Sequence, residues 1–386
     1  MPTLKTVKVD FCFPGQAIAV WPKVETFKED DKLARIVEAH QHAFEDAVGK
    51  DLAVAALQAD SNQLEENTLF GQLRAFYTSS AMWLLLLNYS AGSGQPTPSK
   101  LMEDGLLKMQ LVRDSAGFNT AAHAPGPGHL DDQLAKLQEG ARNTRKRGEL
   151  MLDTPHDYNV GGMAATIKLR GGIINPMVRR INRQLGQDNI MQVVKHNAPK
   201  IKVVAGPREG LELLSGYVAG KEGKFQMVSP YWFHHSMAME LAGRRYGLYM
   251  SGDGNFTPPS PVLTHASYVT GQVLRPENII NDLADGVWKP VYFYTSRGPS
   301  IHGAMHRNGY YDLVVLNNEV GSWLRDSNKV AAHFTNDLTT MAVTYAWMMQ
   351  AIKGEVRPGK EPAEPVSVPA APSQQLSRSI PYRGKS

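Results

Sequence analysis

Hydrophobic and polar positions alternate at the start of the chain. Val7, Val9, Phe11 and Phe13 interleave with Lys8, Asp10 and Cys12, which predicts a β-strand with one buried face that breaks at Pro14-Gly15 and resumes as an extended piece at Ala17 to Trp21. The period then lengthens. Leu33, Ile36, Val37, Phe44 and Val48 fall on one stripe, and Leu69, Leu73, Phe76, Tyr77, Leu84 and Leu87 on another, at helical spacing. Leu130, Leu134 and Leu137 predict a further short helix that runs into the basic cluster RNTRKR at Arg142 to Arg147. The Gly/Pro-rich stretches between Ser90 and Ser99 and from Ala116 to His129 have no period and read as loops. Residues 24–148 are therefore expected to form a mainly helical insertion after the first strand of a core, residues 1–23.

The pattern changes again after residue 160. Ala165, Ile167 and Leu169 alternate with Thr166, Lys168 and Arg170, so a half-buried strand would carry Lys168 and Arg170 on its polar face. A helix is predicted to follow, with Asn175 as N-cap, Pro176 in the first turn and Gly186 beyond its end. Val178, Ile181 and Leu185 form its buried stripe, which leaves Arg179, Arg180 and Arg183 facing outward. Ile201 to Ala205, Val262 to Leu274, Val291 to Thr295 and Leu313 to Leu316 read as strands or extended segments, and Leu338 to Ile352 as a last amphipathic helix. Strands separated by helices without a glycine fingerprint predict an α+β fold, with residues 149–354 as its main body. The tail, residues 355–386, holds six prolines and Tyr382 as its one aromatic, and is expected to be disordered.

Composition narrows the function classes. With 386 residues, 42% hydrophobic and 20% charged, the chain is long enough for about two domains of ordinary globular make-up. The single Cys12 excludes a disulfide framework and cysteine-based zinc sites, which suggests a reducing, cytoplasmic setting. The most apolar run, Ala81 to Leu87, is shorter than the about 20 residues that span a bilayer. No GxSxG elbow, phosphate loop or dinucleotide fingerprint is present, and GPREGLELLSG at Gly206 to Gly216 reads as a glycine-bearing loop. These absences leave open a catalytic site that carries no sequence signature, and no cofactor is expected.

Charge is uneven. The net charge is only +4, yet thirteen basic residues face four acidic ones between Arg142 and Arg208. Such an excess marks a phosphate-binding or nucleic-acid face, or a solvated surface whose counter-charges lie elsewhere. Tyr231, Trp232, Phe233, His234 and His235 precede Arg244 and Arg245, an interleaving suited to stacking on single-stranded bases, or to a core. His302 and His306 have HxxxH spacing, with His234, His235 or Asp312 as a possible third metal ligand. Gly303 stands where the general-base Glu of HExxH would be, and a loop near phosphates is the preferred reading over a metal site.

The unit ATIKLRGGIINPMVRRINRQLG resembles the early strand-to-helix element of the RNA-binding backbone subunits of class 1 CRISPR effector complexes, and VKVDFCFPGQAIAVW is similar to the first strand of their type I-F and variant members; type IV subunits are another home. The resemblance implies an RRM/ferredoxin-like core carrying the helical insertion, and an antiviral ribonucleoprotein. Copies of the chain would line up along a crRNA beside other effector subunits, with no enzymatic role and no membrane. It implies Lys168, Arg170, Arg179, Arg180 and Arg183 as phosphate contacts, and Lys202, Arg208, Arg244, Arg245, His302, His306 and Arg307 are further candidates for RNA binding. Two readings compete: a self-assembling phage or plasmid shell protein, from the loop-rich character and Pro-rich tail, and a metal-dependent hydrolase built on His302 and His306.

Overall fold

The computed structural model describes residues 4–15, 23–154, 161–186, 190–229, 231–252, 255–267, 269–270, 272–292, 312–315 and 331–356. In chain order its strands are β1 (Val7–Phe13), β2 (Leu107–Arg113), β3 (Gly161–Ile167), β4 (Gln192–Ala198), β5 (Ile201–Pro207), β6 (Lys224–Ser229), β7 (Leu263–Ala266), β8 (Val273–Leu274), β9 (Val291–Tyr292), β10 (Asp312–Val315) and β11 (Ala331–Phe334). They form two sheets.

The larger sheet has the order β11-β10-β1-β2-β7-β8 and is parallel except for β8. β1 lies at its centre, so apart from Lys8 the strand is buried on both faces, as parallel strands covered by helices are. Asp10 and Cys12, expected on a polar face, are therefore inside. Asp10 accepts a hydrogen bond from Gln110 on β2 at 2.6 Å, and burial holds its carboxyl well above the usual range. Cys12 is 1% exposed.

Helices pack on this sheet. Asn67 caps the Thr68–Asn88 helix through the amides of Leu69 and Phe70, and Trp83 from that helix meets Phe11 and Phe13 of β1 edge-on, with ring centres 4.9 and 5.8 Å away. The Leu130–Leu152 helix crosses it closely because residue 148 is glycine: a Cβ there would stand 2.6 Å from Leu69 Cδ1. Among the described residues no helix is long and apolar enough to cross a membrane.

The second sheet has the order β6-β3-β5-β4-β9. β3, the Gly171–Gln184 helix, β4, β5, the Arg208–Ala219 helix and β6 follow one another as a βαββαβ unit, with its four strands antiparallel and ordered 4-1-3-2. The helix after β3 begins at Gly171, five residues earlier than its Asn175-Pro176 punctuation suggests, with Pro176 inside it. The segment read as a glycine-bearing loop is the Arg208–Ala219 helix, with Leu211, Leu214 and Val218 buried.

The expected RRM/ferredoxin-like core with a helical insertion is corrected by this pairing. β1 joins β2 and β10, not β3, so the chain's main core is the parallel α/β sheet and the ferredoxin-like run is a smaller unit set between its parts. The strand that reveals this, β2, lies within the stretch read as helical. The extended piece at Ala17 to Trp21 and the tail beyond Val356 lie outside the described residues.

Candidate active site

β2 ends at Arg113 and a helix starts at Gly117, so the chain turns within Asp114, Ser115 and Ala116. Ser115 has φ 47°, in the left-handed region where a side chain costs about 1–3 kcal/mol. The surroundings impose it. Asp114 N–H donates to the Phe13 carbonyl at 2.9 Å, Gly117 N–H to the Asp114 carbonyl at 2.9 Å and Phe118 N–H to the Ser115 carbonyl at 3.1 Å. Gly117 is required because a Cβ there would run into the Phe13 carbonyl oxygen. Gly15 lies on the other side, so close that a Cβ would stand 2.9 Å from Ser115 Cβ. Strand, strained turn and helix with a serine at the tip make a nucleophile elbow, at the carboxyl ends of parallel strands where open α/β sheets bind ligands. The elbow motif GxSxG reads RDSAG here, and Arg113 in the first glycine's place hides it from a motif search.

His235 reaches the elbow from the connection after β6, itself held at φ 62°. Its backbone N–H donates to the Val287 carbonyl at 3.1 Å, and its Nε2 lies 3.0 Å from Ser115 Oγ. The backbone of Gly286 also acts on the ring, in the direction that raises its pKa. Burial pushes the imidazole pKa well below its ordinary value, and Lys195, the neighbouring His234 ring and Arg147 act in the same direction, against the backbone of Gly286. His235 is thus neutral at neutral pH. In the tautomer with its proton on Nδ1, Nε2 can accept the Ser115 hydroxyl proton.

Three charged side chains surround this pair. Lys195 Nζ on β4 is 2.8 Å from both carboxylate oxygens of Asp114, which joins the small sheet to the elbow. Arg113 is buried, with Nη2 3.2 Å from Asp282 Oδ2. Arg147, 3% exposed on the Leu130–Leu152 helix, donates from Nη1 to Gln72 Oε1 at 2.5 Å, while Gln72 Nε2 donates to Thr68 Oγ1 at 3.2 Å. The close crossing at Gly148 brings these two helices into reach.

The residues singled out by charge lie elsewhere. Lys168, Arg170, Arg179, Arg180, Arg183 and Arg208 are exposed on the small unit, and Arg180 stacks over Tyr217 at 5.1 Å. Lys202 is buried in β5, donates to the Ala198 carbonyl, and is lowered by burial to about 8. Arg244 and Arg245 are exposed on the Glu240–Met250 helix, Arg244 paired with Glu240 at 2.6 Å. His302, His306 and Arg307 lie outside the described residues. Among the described residues no cluster of three or more His, Cys, Asp or Glu could hold a metal ion. Trp232 is core, and its ring stacks on His234 at 5.7 Å.

No protein-family model and no curated protein matches the sequence. Solved structures match nearly the whole chain. The acyl-carrier-protein S-malonyltransferase of Burkholderia pseudomallei 1710b has a TM-score of 0.69 and 18% identity over 88% of this chain and 100% of its own. The malonyl-CoA:acyl carrier protein transacylase of Xanthomonas oryzae pv. oryzae gives 0.69 and 18% over 89% and 99%. A malonyl-transacylase solved in complex with its type II PKS acyl-carrier protein gives 0.67 and 18% over 90% and 99%.

These likenesses overturn the functional expectations from sequence. The two short segments that resembled CRISPR backbone subunits belong to different sheets here, so the guide-RNA reading does not hold. With it go the antiviral, RNA-binding role and the crRNA, filament and effector-subunit partners. The shell-protein and metal-hydrolase readings do not fit this fold either. The expectation of a non-enzyme is corrected by the same matches, structures of acyltransferases, and by a Ser–His pair that no motif announced. At 18% identity the likeness is one of architecture: this chain has the fold of the malonyl transacylases.

Proposed function

We propose that the protein is a serine-dependent acyltransferase that carries a short, carboxylate-bearing acyl group from one thioester to a second thiol. The observation that carries this reading is Ser115 Oγ at 3.0 Å from Nε2 of a neutral His235, on a strained elbow. As Oγ attacks the thioester carbonyl, His235 takes the hydroxyl proton. The tetrahedral oxyanion forms beside the amide of Ala116, the residue that follows the nucleophile. Collapse breaks the C–S bond, the leaving thiolate takes the proton from His235, and the acyl group remains as an ester on Ser115, with His235 again neutral. The second thiol gives its proton to His235 and reverses these steps, so the transfer needs no oxidant and no metal.

The buried cation Arg147 supports the choice of acyl group. A guanidinium kept out of water by its helix and oriented by Gln72 suits a planar carboxylate, which it can meet with two parallel hydrogen bonds. A malonyl group, the cargo named for structures of this fold, has that carboxylate. The thiol of an acyl carrier protein fits as acceptor, and the cytoplasm as location, in keeping with the lone unoxidised thiol.

Intact-mass measurement after mixing with malonyl-CoA tests the reading. The expected result is one malonyl ester, absent from Ser115→Ala; no ester from either malonyl-CoA or acetyl-CoA would overturn it. Arg147→Ala is expected to lose about 10²-fold in acylation by malonyl-CoA while keeping acylation by acetyl-CoA, and an equal loss with both donors would remove the carboxylate role.

A further inference from the structure

The elbow and the histidine are built by different elements, Ser115 at the end of β2 and His235 against the Ile279–Trp288 helix. What fixes their separation is therefore what fixes β2 against that helix. Arg113 ends β2 two residues before Ser115, with no exposed surface. Its Nη2 lies 3.2 Å from Asp282 Oδ2, its Nε donates to the Ala266 carbonyl of β7 at 3.3 Å, and its guanidinium lies 5.1 Å from the centre of the Phe118 ring just past the elbow. Asp282 is also buried and accepts a hydrogen bond from Ser267 Oγ. One turn further along the same helix, Val287 presents the carbonyl that receives the backbone N–H of His235, and the backbone of Gly286 acts on its ring.

We propose that the buried Arg113–Asp282 ion pair is a positioning device that sets the Ser115–His235 distance by tying the nucleophile's strand to the helix that grips the base. The residues act through Ser115 and His235 and do not touch substrate. An ion pair suits this task because its two ends attract across the gap between strand and helix, and a buried pair left with one partner is strongly disfavoured. Glycine, the usual residue at this point of an elbow, could not provide such a tie.

The inference rests on Ser115 being the nucleophile, and a fluorophosphonate probe, which phosphonylates an activated serine with loss of fluoride, separates the two claims. An unlabelled wild-type protein would sink the acyltransferase reading and the positioning role with it. If wild type is labelled and Ser115→Ala is not, the double variant Arg113→Met with Asp282→Leu, and separately Asp282→Asn, are compared with it for plateau labelling rate, for its pH profile and for thermal midpoint. The double variant replaces charge by apolar volume and so keeps the fold. The expected result is a plateau rate lower by 10- to 100-fold in both variants. The acid limb is expected to move to lower pH, because His235 loses the backbone of Gly286, which raises its pKa. Arg113→Lys, which keeps the charge, should recover part of the rate. Plateau rates within twofold of wild type in folded variants would overturn the proposal. So would a limb that moves up toward 6.5, the sign of water entering a loosened site.

Discussion

The elbow of the parallel sheet and the basic helix of the small sheet differ in every respect that sequence statistics weigh. The Gly171–Gln184 helix presents Arg179, Arg180 and Arg183 to solvent, where each charge is hydrated and screened. The elbow holds Arg113 and Asp114 out of water, each against a named partner, and between them they set the field around one serine. The thirteen basic residues between Arg142 and Arg208 form one signal in the sequence; the structure divides them into exposed arginines and lysines, the half-buried Lys146, the sheet lysine Lys202, the elbow's partner Lys195 and the buried Arg147. Chemistry follows the buried minority. A charge that has been desolvated has a direction and a partner, and a count of charges contains neither.

The largest effect that could break this contrast is loss of the nucleophile. Ser115→Ala should lower acyl transfer by about 10³-fold or more, with thermal stability little changed because alanine keeps the elbow's backbone hydrogen bonds and gives up only the contact to His235, and near-normal turnover would end the case for the elbow. Next comes acid sensitivity of the large unit. Burial lowers His40 to about 3 and His123 to about 4, and also lowers His265, so these rings stay neutral in the folded chain while unfolded ones protonate below about 6.5. Each makes unfolding easier by about 1.4 kcal/mol per pH unit as pH falls from 6.5 toward its folded value, and none contributes above 6.5. Asp10 and Asp282, raised by burial, work the other way but are fewer. Calorimetric midpoints should therefore fall below pH 6.5 and be flat from there to about 8, where the lowered Lys202 begins to titrate.

A smaller and sharper effect belongs to Lys195→Met. Its charge lowers the pKa of His235, and its loss also leaves the Asp114 carboxylate uncompensated, so both changes move the acid limb of the acylation profile to higher pH. A limb that stays in place would mean that the small sheet exerts no electrostatic hold on the base. The smallest effect is expected from Arg179, Arg180 and Arg183 changed to alanine together. Acylation by malonyl-CoA should stay within about twofold and stability within roughly 1 kcal/mol, since only the Arg180–Tyr217 contact is lost. A tenfold loss would show that the outer face takes part in the site.

Local periodicity made much of the secondary structure legible. The stripe of Leu33, Ile36, Val37, Phe44 and Val48 is buried on the Asp31–Val48 helix, and Met341, Tyr345, Met348 and Ile352 on the Leu338–Lys353 helix. Pairing was not legible. Val7 to Phe13 looks like a strand with one wet face because Lys8, Asp10 and Cys12 alternate with apolar residues, yet helices cover both faces and Asp10 Oδ1 accepts from Gln110 of a strand about a hundred residues away. The site was hidden for the same reason. Ser115, Arg147 and His235 are far apart in sequence, and their meeting depends on β2 lying beside β1 and on the glycine crossing at Gly148. The readable trace was LKMQLVR followed by DSAG, an apolar run ending in a serine two residues before a glycine. A strict GxSxG template rejected it because of Arg113.

The solitary thiol offers a way to time the opening of this sheet. Cys12 sits in its central strand, shut off from solvent, and burial together with the carboxylates of Asp114 and Asp10 keeps it protonated, so the reactive thiolate is scarce while the fold is closed. Alkylation by a maleimide must then wait for an excursion that uncovers β1. Because the chain has a single cysteine, each modified molecule records one such excursion, and the dependence of its rate on denaturant separates local breathing near the elbow from global unfolding without any introduced label.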